Sequence, residues 1–554
     1  MPKLVVWVPF NKHGYVKASI DVPVCADGST LSLKSLASSG REFLSCKLLS
    51  NNKSIEVAVG SILEFDQTHD HCLADLTTLR QVNDAAVLNS VYSRYKRGKL
   101  SLIASPALHL AVHPCSGRLD ADGILGDISD YEKIHPKDKH AHMFHIVDSC
   151  LSVSSGISGA TPPSDCVVVM GASASGKTQA CRRLLQYTLS RYSSPSGGGV
   201  CWERALRMSL LLDAFGNAAT PANADSSRYS SVVCVSMQPT GARGELTCRA
   251  TSVFAFGLEA ARVVSVGTAV GGGRNFHVLH QLVCGLEKSQ LSKLLLSANP
   301  TQHRFLGKQC GLTSVTAAVL QQSVRGDALR FQATRAALTH ATAHLAATYS
   351  DPSFEVLRLL ACVLHIGNML FRSKHDGMTI DDVEDDQSPC EIVKSKYFYF
   401  IEETLGLSTE SMRTGGGTFE QALTSRSMSI SSSGRSSLFT VELTAQKTFK
   451  IASALAMELY VRMFQWIAGR WSNDGPGEQG ASVLNIMDLG SCVGSYSNDR
   501  YLDTFHLFLN NYGSEKLRSH YLSGESIDCI VIDDLAQVRV GSSVLSFIFI
   551  VLYM

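Results

Sequence analysis

An eight-residue glycine-containing segment is the strongest chemical signal in the sequence. It fits the pattern GxxxxGK[ST] and consists of Gly171, Ala172, Ser173, Ala174, Ser175, Gly176, Lys177 and Thr178. The apolar run at 166–170 predicts a buried strand before it, and the apolar periodicity after it predicts a helix. Such a loop aims backbone N–H groups and a helix N-terminus at phosphate. Lys177 would reach the β- and γ-phosphates, and Thr178 would ligate Mg²⁺. A nucleoside-triphosphate site is therefore predicted; the alternative is a plain Gly/Ser-rich turn.

A second polar segment narrows the class of nucleotide-binding protein. Asn217 lies in the run AFGNA at 214–218, and Asn223 is followed after two residues by Ser226, Ser227 and Arg228. This order resembles switch I of the myosin motor, whose core is Asn-x-x-Ser-Ser-Arg. Taken alone, a Ser/Asn-rich loop could merely cap a helix. A kinase or an unrelated ATPase with a phosphate loop would lack this segment.

The resemblance to myosin motors recurs in order along the chain. Five further segments are similar to that family, namely RNFHVLHQL at 274–282, LLACVLHIGNMLF at 359–371, ALTSR at 422–426, ALAMELYVRMFQWI at 454–467 and the relay-like helix at 505–517. The opening Trp7-Val8-Pro9 resembles part of the small β-barrel that many myosins carry before the motor core. The resemblance covers roughly residues 5 to 520.

The resemblance implies specific roles at the site. Ser227 would be a second Mg²⁺ ligand beside Thr178, and Asp488 would hold the Mg²⁺ shell through a water. Ser226 would hydrogen-bond the γ-phosphate and the attacking water. The two asparagines, Asn217 and Asn223, would contact phosphate or nearby backbone. The residues expected to act in ATP hydrolysis are Lys177, Ser226, Arg228 and Asp488.

The sequence departs from the family at switch II, where myosins read Asp-Ile-x-Gly-Phe-Glu. In one register Asp488 is retained, Ser491 replaces the glycine and Val493 replaces the glutamate. Gly490 could serve with a one-residue slip, and a register starting at Asn485 would lose the aspartate too. In myosins the glutamate pairs with the switch I arginine, so we expect Arg228 to lack its partner.

An unpaired buried charge costs about 3–5 kcal/mol. If only the closed state bears this cost, hydrolysis slows by roughly two to four decades. We therefore predict that the site still binds nucleotide but hydrolyses it inefficiently.

The surrounding pattern predicts an α/β fold. Alternating segments in the first 65 residues predict a small antiparallel β unit, 76–100 a helix, and 101–114 a pair of strands. Gly/Ser-rich stretches at 193–199, 271–273, 415–417 and 429–437 are expected to be surface loops, as is the acidic run at 381–386. The predicted architecture is a P-loop NTPase core with a mixed central β-sheet flanked by helices, preceded by a small N-terminal β-barrel. We expect the barrel-like unit at 1–65, the motor-like domain at 66–520 and a divergent tail at 521–554.

Composition excludes several classes of protein. Fifty Lys and Arg against 49 Asp and Glu leave a net charge of +1, which does not support a strongly basic nucleic-acid binder. The amino terminus is a poor signal peptide, and the apolar run at 543–554 is too short to span a bilayer. That run is expected to be a buried strand or an irregular end. The sequence has sixteen cysteines but no CxxC pair, which argues against a zinc ribbon. Cysteines scattered in this way are typical of a protein in a reducing compartment.

The expected function is that of an ATP-binding, actin-associated motor in the cytoplasm and cytoskeleton, within a myosin complex. The implied cofactors are ATP and Mg²⁺, and the implied partner is the actin filament. Part of the actin-binding surface of this chain is expected on the loop from Arg426 to Ser437. Ser437 is the nearest candidate for phosphorylation there; a plain flexible loop is the alternative. No light-chain site, nucleic-acid partner or membrane span is expected, and the motor is expected to be incomplete at its C-terminal side. The alternative function is a nucleotide-binding pseudo-motor that acts as a binding or regulatory module.

Overall fold

A computed structural model describes most of the chain. The described residues are 3–10, 14–22, 42–105, 108–113, 128–134, 136–154, 164–171, 175–192, 198–220, 223–240, 245–264, 274–307, 317–375, 388–407, 418–432, 435–471, 482–488 and 546–553. Two units are distinguished, the first formed by Met1–Cys150 with Ser546–Met554 and the second by Leu151–Leu545.

The first unit begins with an antiparallel sheet, as its alternating sequence predicts. Its strands are β1 (Lys3–Phe10), β2 (Gly14–Asp21), β3 (Phe43–Leu48), β4 (Ser54–Ala58) and β5 (Leu63–Glu64), in the order β4-β3-β2-β1-β5. Residues at alternate positions, such as Val6, Val8, Ala18 and Ile20, form its apolar core. No pairing among the described residues joins β4 to β5, so closure into a barrel stays a prediction.

The rest of the first unit adds helices and a second group of strands. The elements are α1 (Asp84–Lys96), β6 (Ser101–Ser105), β7 (Leu108–His113), α2 (Ile128–Tyr131), α3 (Pro136–Lys139) and α4 (Met143–Ser154), of which residues 143–150 belong to this unit. The Asn83 side chain caps α1 by accepting from the Ala86 N–H, so the helix is shorter than the segment predicted at 76–100. The apolar run near the chain end forms β18 (Ser546–Tyr553), which pairs in parallel with β7.

The second unit contains a four-stranded mixed sheet. Its strands are β8 (Ser164–Gly171), β11 (Ser230–Thr240), β12 (Glu245–Phe256) and β17 (Ser482–Asp488), in the order β12-β11-β17-β8. Strands β8 and β17 are parallel, whereas β11 is antiparallel to both β12 and β17. The carboxyl ends of β8 and β17 and the start of β11 therefore meet at one edge, where Asp488 pairs with Val169 and Ser231. The loops that carry the predicted chemistry lie at this edge.

Helices make up most of the remaining second unit. They are α5 (Lys177–Arg191), α6 (Gly198–Gly216), α7 (His277–Gly285), α8 (Lys288–Lys293), α9 (Ala317–Thr342), α10 (Pro352–Gly367), α11 (Lys396–Thr404), α12 (Phe419–Thr424) and α13 (Ala445–Gly469). Short paired strands are β9 (Asn217–Ala218) with β10 (Ser226–Ser227), and β13 (Phe371–Ser373) with β14 (Cys390–Ile392). Glycine permits one close packing contact, because a Cβ at Gly285 would lie 2.4 Å from Phe331.

One loop prediction is wrong, because the stretch at 429–437 belongs to a hairpin formed by β15 (Ser425–Ser432) and β16 (Arg435–Glu442). The loop predicted at 193–199 is wrong only for Gly198 and Gly199, which start α6, and its other residues lie outside the described residues. Composition fails for the hairpin because a ladder is held by backbone hydrogen bonds, to which serine contributes as well as any other residue. The predicted loops at 271–273, 381–386 and 415–417 and the relay-like helix at 505–517 lie outside the described residues.

The cysteines in the described parts of the chain are all free thiols, and each is buried or half-buried. Within the same parts, none of the helices has the length and apolar character needed to cross a membrane.

Candidate nucleotide-binding site

The glycine-containing loop joins β8 to α5, as predicted. Gly176 precedes the helix with a φ of +94°, a left-handed conformation that favours glycine over other residues. Lys177 is buried, and its Nζ donates to the Gly171 carbonyl at 2.8 Å. The Ser175 hydroxyl is buried and has no hydrogen-bond partner among the described residues. The intervening Ala172, Ser173 and Ala174 lie outside those residues.

Three oxygen-bearing side chains from separate segments meet beside this loop. The Thr178 and Ser227 hydroxyl oxygens lie 3.2 Å apart, and Thr178 also donates to the Asp488 carboxylate. Burial raises the pKa of Asp488, although the Thr178 hydrogen bond and the charges of Lys177 and Arg182 oppose that shift. Its Oδ1 atom is buried and has no partner in the described parts of the chain. Hydroxyl and carboxylate oxygens are ligands that Mg²⁺ accepts, so these three residues fit that ion.

The switch I segment is held by its own polar side chains. Strands β9 and β10 pair Asn217 with Ser227. The Asn217 amide donates to Asp225 at 3.0 Å and to Asp213 at 3.3 Å, while Asn223 Oδ1 accepts from the Asp225 N–H at 3.0 Å. The structure thus directs the Asn217 amide to carboxylates of its own chain. Phosphate contacts of the two asparagines stay a prediction.

Two carboxylates that the sequence reasoning did not single out have opposite electrostatic environments. A hydrogen bond from His277 lowers the pKa of Asp225 to about 2, with the Nε2–Oδ1 distance at 3.1 Å. Burial raises the pKa of Asp213 to about 6, despite its ion pair with Arg182. The only sequence signal was indirect, because His277 lies in the segment at 274–282 that resembles myosins.

The prediction that Arg228 lacks a partner is wrong. Its Nη1 lies 3.5 Å from Glu259 Oε2, and its Nη2 donates to the Ser226 hydroxyl. Glu259 also accepts from Arg262 Nε at 3.0 Å, and all three charged residues are buried. The predicted cost of an unpaired Arg228 therefore does not apply to this arrangement. The substituted switch II position Val493 lies outside the described residues.

Comparison with known proteins identifies the family to which this chain belongs. The family described as Myosin head (motor domain) matches residues 73–524, which is most of the chain. The chain belongs to the myosin head family. The phosphate loop, the switch I segment and Asp488 all fall within the matched part of this myosin head.

Individual relatives are distant but cover much of the chain. Unconventional myosin-Ic of Bos taurus is 28% identical over 364 residues, which are 64% of this chain and 30% of that protein. Myosin-M heavy chain of Dictyostelium discoideum is 22% identical over 533 residues, 94% of this chain and 28% of that protein. Myosin IE heavy chain of the same organism is 26% identical over 468 residues, 81% of this chain and 40% of that protein. The myosin head described here therefore spans less than half the length of these relatives.

Proposed function

We propose that this chain binds Mg-ATP at the β8–β17 edge of the sheet, hydrolyses it and couples the reaction to actin filaments in the cytoskeleton. The observation that carries the proposal is the convergence of Thr178, Ser227 and Asp488 from three separate segments next to Lys177. Membership of the myosin head family supports ATP as the nucleotide and actin as the partner.

The side chains of the site suit phosphoryl transfer, which needs positioning and charge neutralisation rather than covalent chemistry. When bound, Mg²⁺ would neutralise charge on the phosphate oxygens, with Thr178, Ser227 and Asp488 around it. Lys177 would exchange the Gly171 carbonyl for phosphate oxygens. The phosphate group is the stronger acceptor because it carries negative charge.

Arg228 would orient the serine that faces the reacting phosphate. The Ser226 oxygen accepts from Arg228, so its own hydrogen is left to donate to the γ-phosphate or to the attacking water. Glu259 holds Arg228 in turn, since both are buried and lie 3.5 Å apart. This order, Glu259 to Arg228 to Ser226, would fix the hydroxyl before the substrate arrives.

A second function is favoured by one sequence observation. Val493 stands where the family has the switch II glutamate and cannot form an ion pair when the site closes. A pseudo-motor that binds nucleotide with little turnover would then result. The two functions differ in turnover and share the same nucleotide site.

Actin-activated ATP turnover, measured beside a Mg-ATP binding titration, tests both functions. For the motor we expect tight Mg-ATP binding that Lys177→Ala abolishes, together with turnover that actin raises. For the pseudo-motor we expect the same binding, with low turnover that actin does not raise and that Val493→Glu raises. Absence of Mg-ATP binding by the unsubstituted chain contradicts both functions.

A further inference from the structure

The segment at 294–306, which follows α8, is fastened to the C-terminal end of α10 by side-chain hydrogen bonds. His365 Nε2 lies 2.7 Å from the Leu294 carbonyl oxygen, and Asn368 Oδ1 accepts from the Arg304 N–H at 2.9 Å. The His365 side chain is fully buried. We call these contacts between the segment and the end of α10 the clasp.

The hydrogen bonds of the clasp require His303, which lies in the segment, to be neutral. Its Nε2 lies 3.0 Å from the Ser297 carbonyl oxygen, which can only accept, so Nε2 carries a hydrogen. Its Nδ1 lies 3.3 Å from Asn368 Nδ2. Because Asn368 Oδ1 already accepts from Arg304, this Nδ2 is fixed as the donor and His303 Nδ1 must accept. A proton on Nδ1 would place two donors against each other and break the contact.

His365 must be neutral for a second reason. Its Nε2 donates to the Leu294 carbonyl, while its Nδ1 is buried and has no hydrogen-bond partner among the described residues. The ring stacks on Tyr397 and meets Phe400 edge-to-face, with ring centres 4.8 and 4.9 Å away. A proton on Nδ1 would therefore add a buried N–H without a partner, which is costly. Burial lowers the pKa of His365 to about 4, and it lowers the pKa of His303 as well.

The surroundings of the two rings also oppose a positive charge. The titratable and charged groups around them come from three elements and are Lys396 and Tyr397 on α11, His280 on α7 and Arg304 in the segment itself. All of these except the tyrosine carry a positive charge or gain one with a proton. A proton on either ring is therefore accommodated only when the segment moves away and water reaches the ring.

Acid consequently favours the released state of the segment. The usual pKa of a histidine is 6.5, so the released state takes up the proton of His365 below that pH, and the closed state does so only below about 4. The equilibrium constant for opening thus rises as the pH falls from 6.5 to about 4. Between about pH 7.5 and pH 5.0, His365 alone raises this constant by up to about thirtyfold.

The segment is also connected to switch I, through the start of α7. Asn275 Nδ2 donates to the Phe305 carbonyl at 2.8 Å, and two residues later His277 donates to Asp225 at 3.1 Å. Asp225 directly precedes Ser226 of switch I. His277 donates through Nε2 with or without a charge, so acid leaves that bond intact. Release of the segment removes one support of Asn275 and loosens the start of α7, which holds switch I.

We propose that the clasp is acid-sensitive: protonation of His303 and His365 releases the segment at 294–306 from α10, and Mg-ATP bound beside switch I opposes this release. Acid release depends on the fold alone, whereas opposition by Mg-ATP rests on the proposed function. Protons and nucleotide bias the segment in opposite directions because each prefers a different state of it. A coupling of about fivefold or more is expected between Mg-ATP and the closed clasp.

Hydrogen–deuterium exchange with mass spectrometry, without nucleotide, measures opening of the segment at about pH 7.5 and pH 5.0. After correction for the intrinsic exchange rates, the ratio of the two opening constants is compared between proteins, so a general loss of stability in a variant does not by itself change it. For the unsubstituted chain, opening at the lower pH is expected to be greater by about tenfold or more. His303→Gln and His365→Gln keep a neutral N–H donor but take up no proton, and each is expected to reduce this ratio by about threefold or more.

His340→Gln is the matched control, because His340 is an exposed residue on α9. It is expected to keep the ratio of the unsubstituted chain. A ratio near one in the unsubstituted chain, or an unchanged ratio in both clasp variants, overturns the acid-sensitive clasp.

The second measurement repeats the exchange at the higher pH with saturating Mg-ATP. An opening constant that falls by about fivefold or more supports the link to switch I. An unchanged constant in a chain that binds Mg-ATP overturns that link. Failure to bind Mg-ATP contradicts the proposed function, and with it the role of nucleotide at the clasp, whereas exchange measured without nucleotide still decides the acid release.

Discussion

The N-terminal sheet and the nucleotide loops differ in whether their buried polar atoms have hydrogen-bond partners. Among the described residues of the first 65, no buried side-chain nitrogen or oxygen lacks a hydrogen-bond partner, and the indole of Trp7 donates to His69 at 3.0 Å. Each of the three nucleotide segments instead contains a buried atom without a partner there, namely Ser175 Oγ, Asn217 Oδ1 and Asp488 Oδ1.

This difference separates stability from binding. A buried polar atom without a partner costs about 1–3 kcal/mol, so the nucleotide loops lower the stability of the free protein. A bound ligand, ion or water that supplies the missing partner recovers that free energy. The N-terminal sheet has no such unpartnered atom among its described residues, and its apolar core contributes to stability alone.

The largest expected effect tests whether the charged residues behind switch I are well paired. Glu259→Gln removes the carboxylate shared by buried Arg228 and Arg262 and is expected to lower the free energy of unfolding by about 3–5 kcal/mol. Urea denaturation measures the loss. The control is Glu203→Gln, which breaks an exposed pair with Arg207 and is expected to change stability by less than about 0.5 kcal/mol. Equal losses in the two variants would contradict the structural role of Glu259.

The next effect isolates the N-terminal sheet. Ile20→Ala removes a side chain that is 2% exposed in its core, and a loss of about 2–5 kcal/mol is expected in the unfolding of that region. Mg-ATP affinity should stay within about twofold, because the sheet supplies none of the predicted ligands. Phe43→Ala, at a position 60% exposed, is the control. A parallel loss of nucleotide binding would break the separation between the two regions.

The third effect runs in opposite directions for binding and stability. Asp488→Asn keeps the shape of the side chain but removes the charge, so Mg-ATP affinity is expected to fall about a hundredfold. Burial raises the pKa of Asp488, which means that the fold disfavours its charge. The melting temperature without nucleotide is therefore expected to stay the same or rise. In EDTA the variant and the unsubstituted chain should bind ATP equally; a difference there would remove Mg²⁺ from the explanation.

The smallest effect is a pH dependence near switch I. The pKa of Asp213 is raised from 3.8 to about 6, so the folded state binds this proton more tightly than the unfolded chain. Its contribution to stability is complete below about pH 4 and disappears as the pH rises through 6. Relative to Asp213→Asn, the unsubstituted chain should gain about 1–2 kcal/mol between pH 7 and pH 4. Unfolding curves of both proteins are measured at each pH, and the difference between their unfolding free energies removes the contributions of the other titrating groups. A difference that does not change with pH would refute the raised pKa.

Local patterns predicted the parts of this molecule that depend on neighbours in sequence. Strand β8, the loop and α5 follow from the apolar run before Gly171 and the periodicity after Lys177. The hairpin at 425–442 was missed because its serine-rich composition is typical of loops, whereas its strands are held by backbone pairing.

Contacts between distant residues were harder to predict. Ordered motifs named Thr178, Ser227 and Asp488, but only the sheet topology brings residues some 50 and 310 positions apart to one edge. The partner of Arg228 was missed because Glu259 lies 31 residues away with no motif that links them. A missing family residue does not mean a missing partner, since another element can supply the same charge.

The buried cysteine thiols can report how often different regions of the chain open. Cys46 lies in the core of the N-terminal sheet, Cys181 lies on α5 beside the nucleotide loops, and Cys362 lies within α10. Each must be exposed before an alkylating reagent can reach it, so its labelling rate reports how often that region opens. Mass spectrometry of one partly labelled sample would rank the openings of the three regions. The native cysteines therefore show, without any substitution in the chain, which of the three regions opens first.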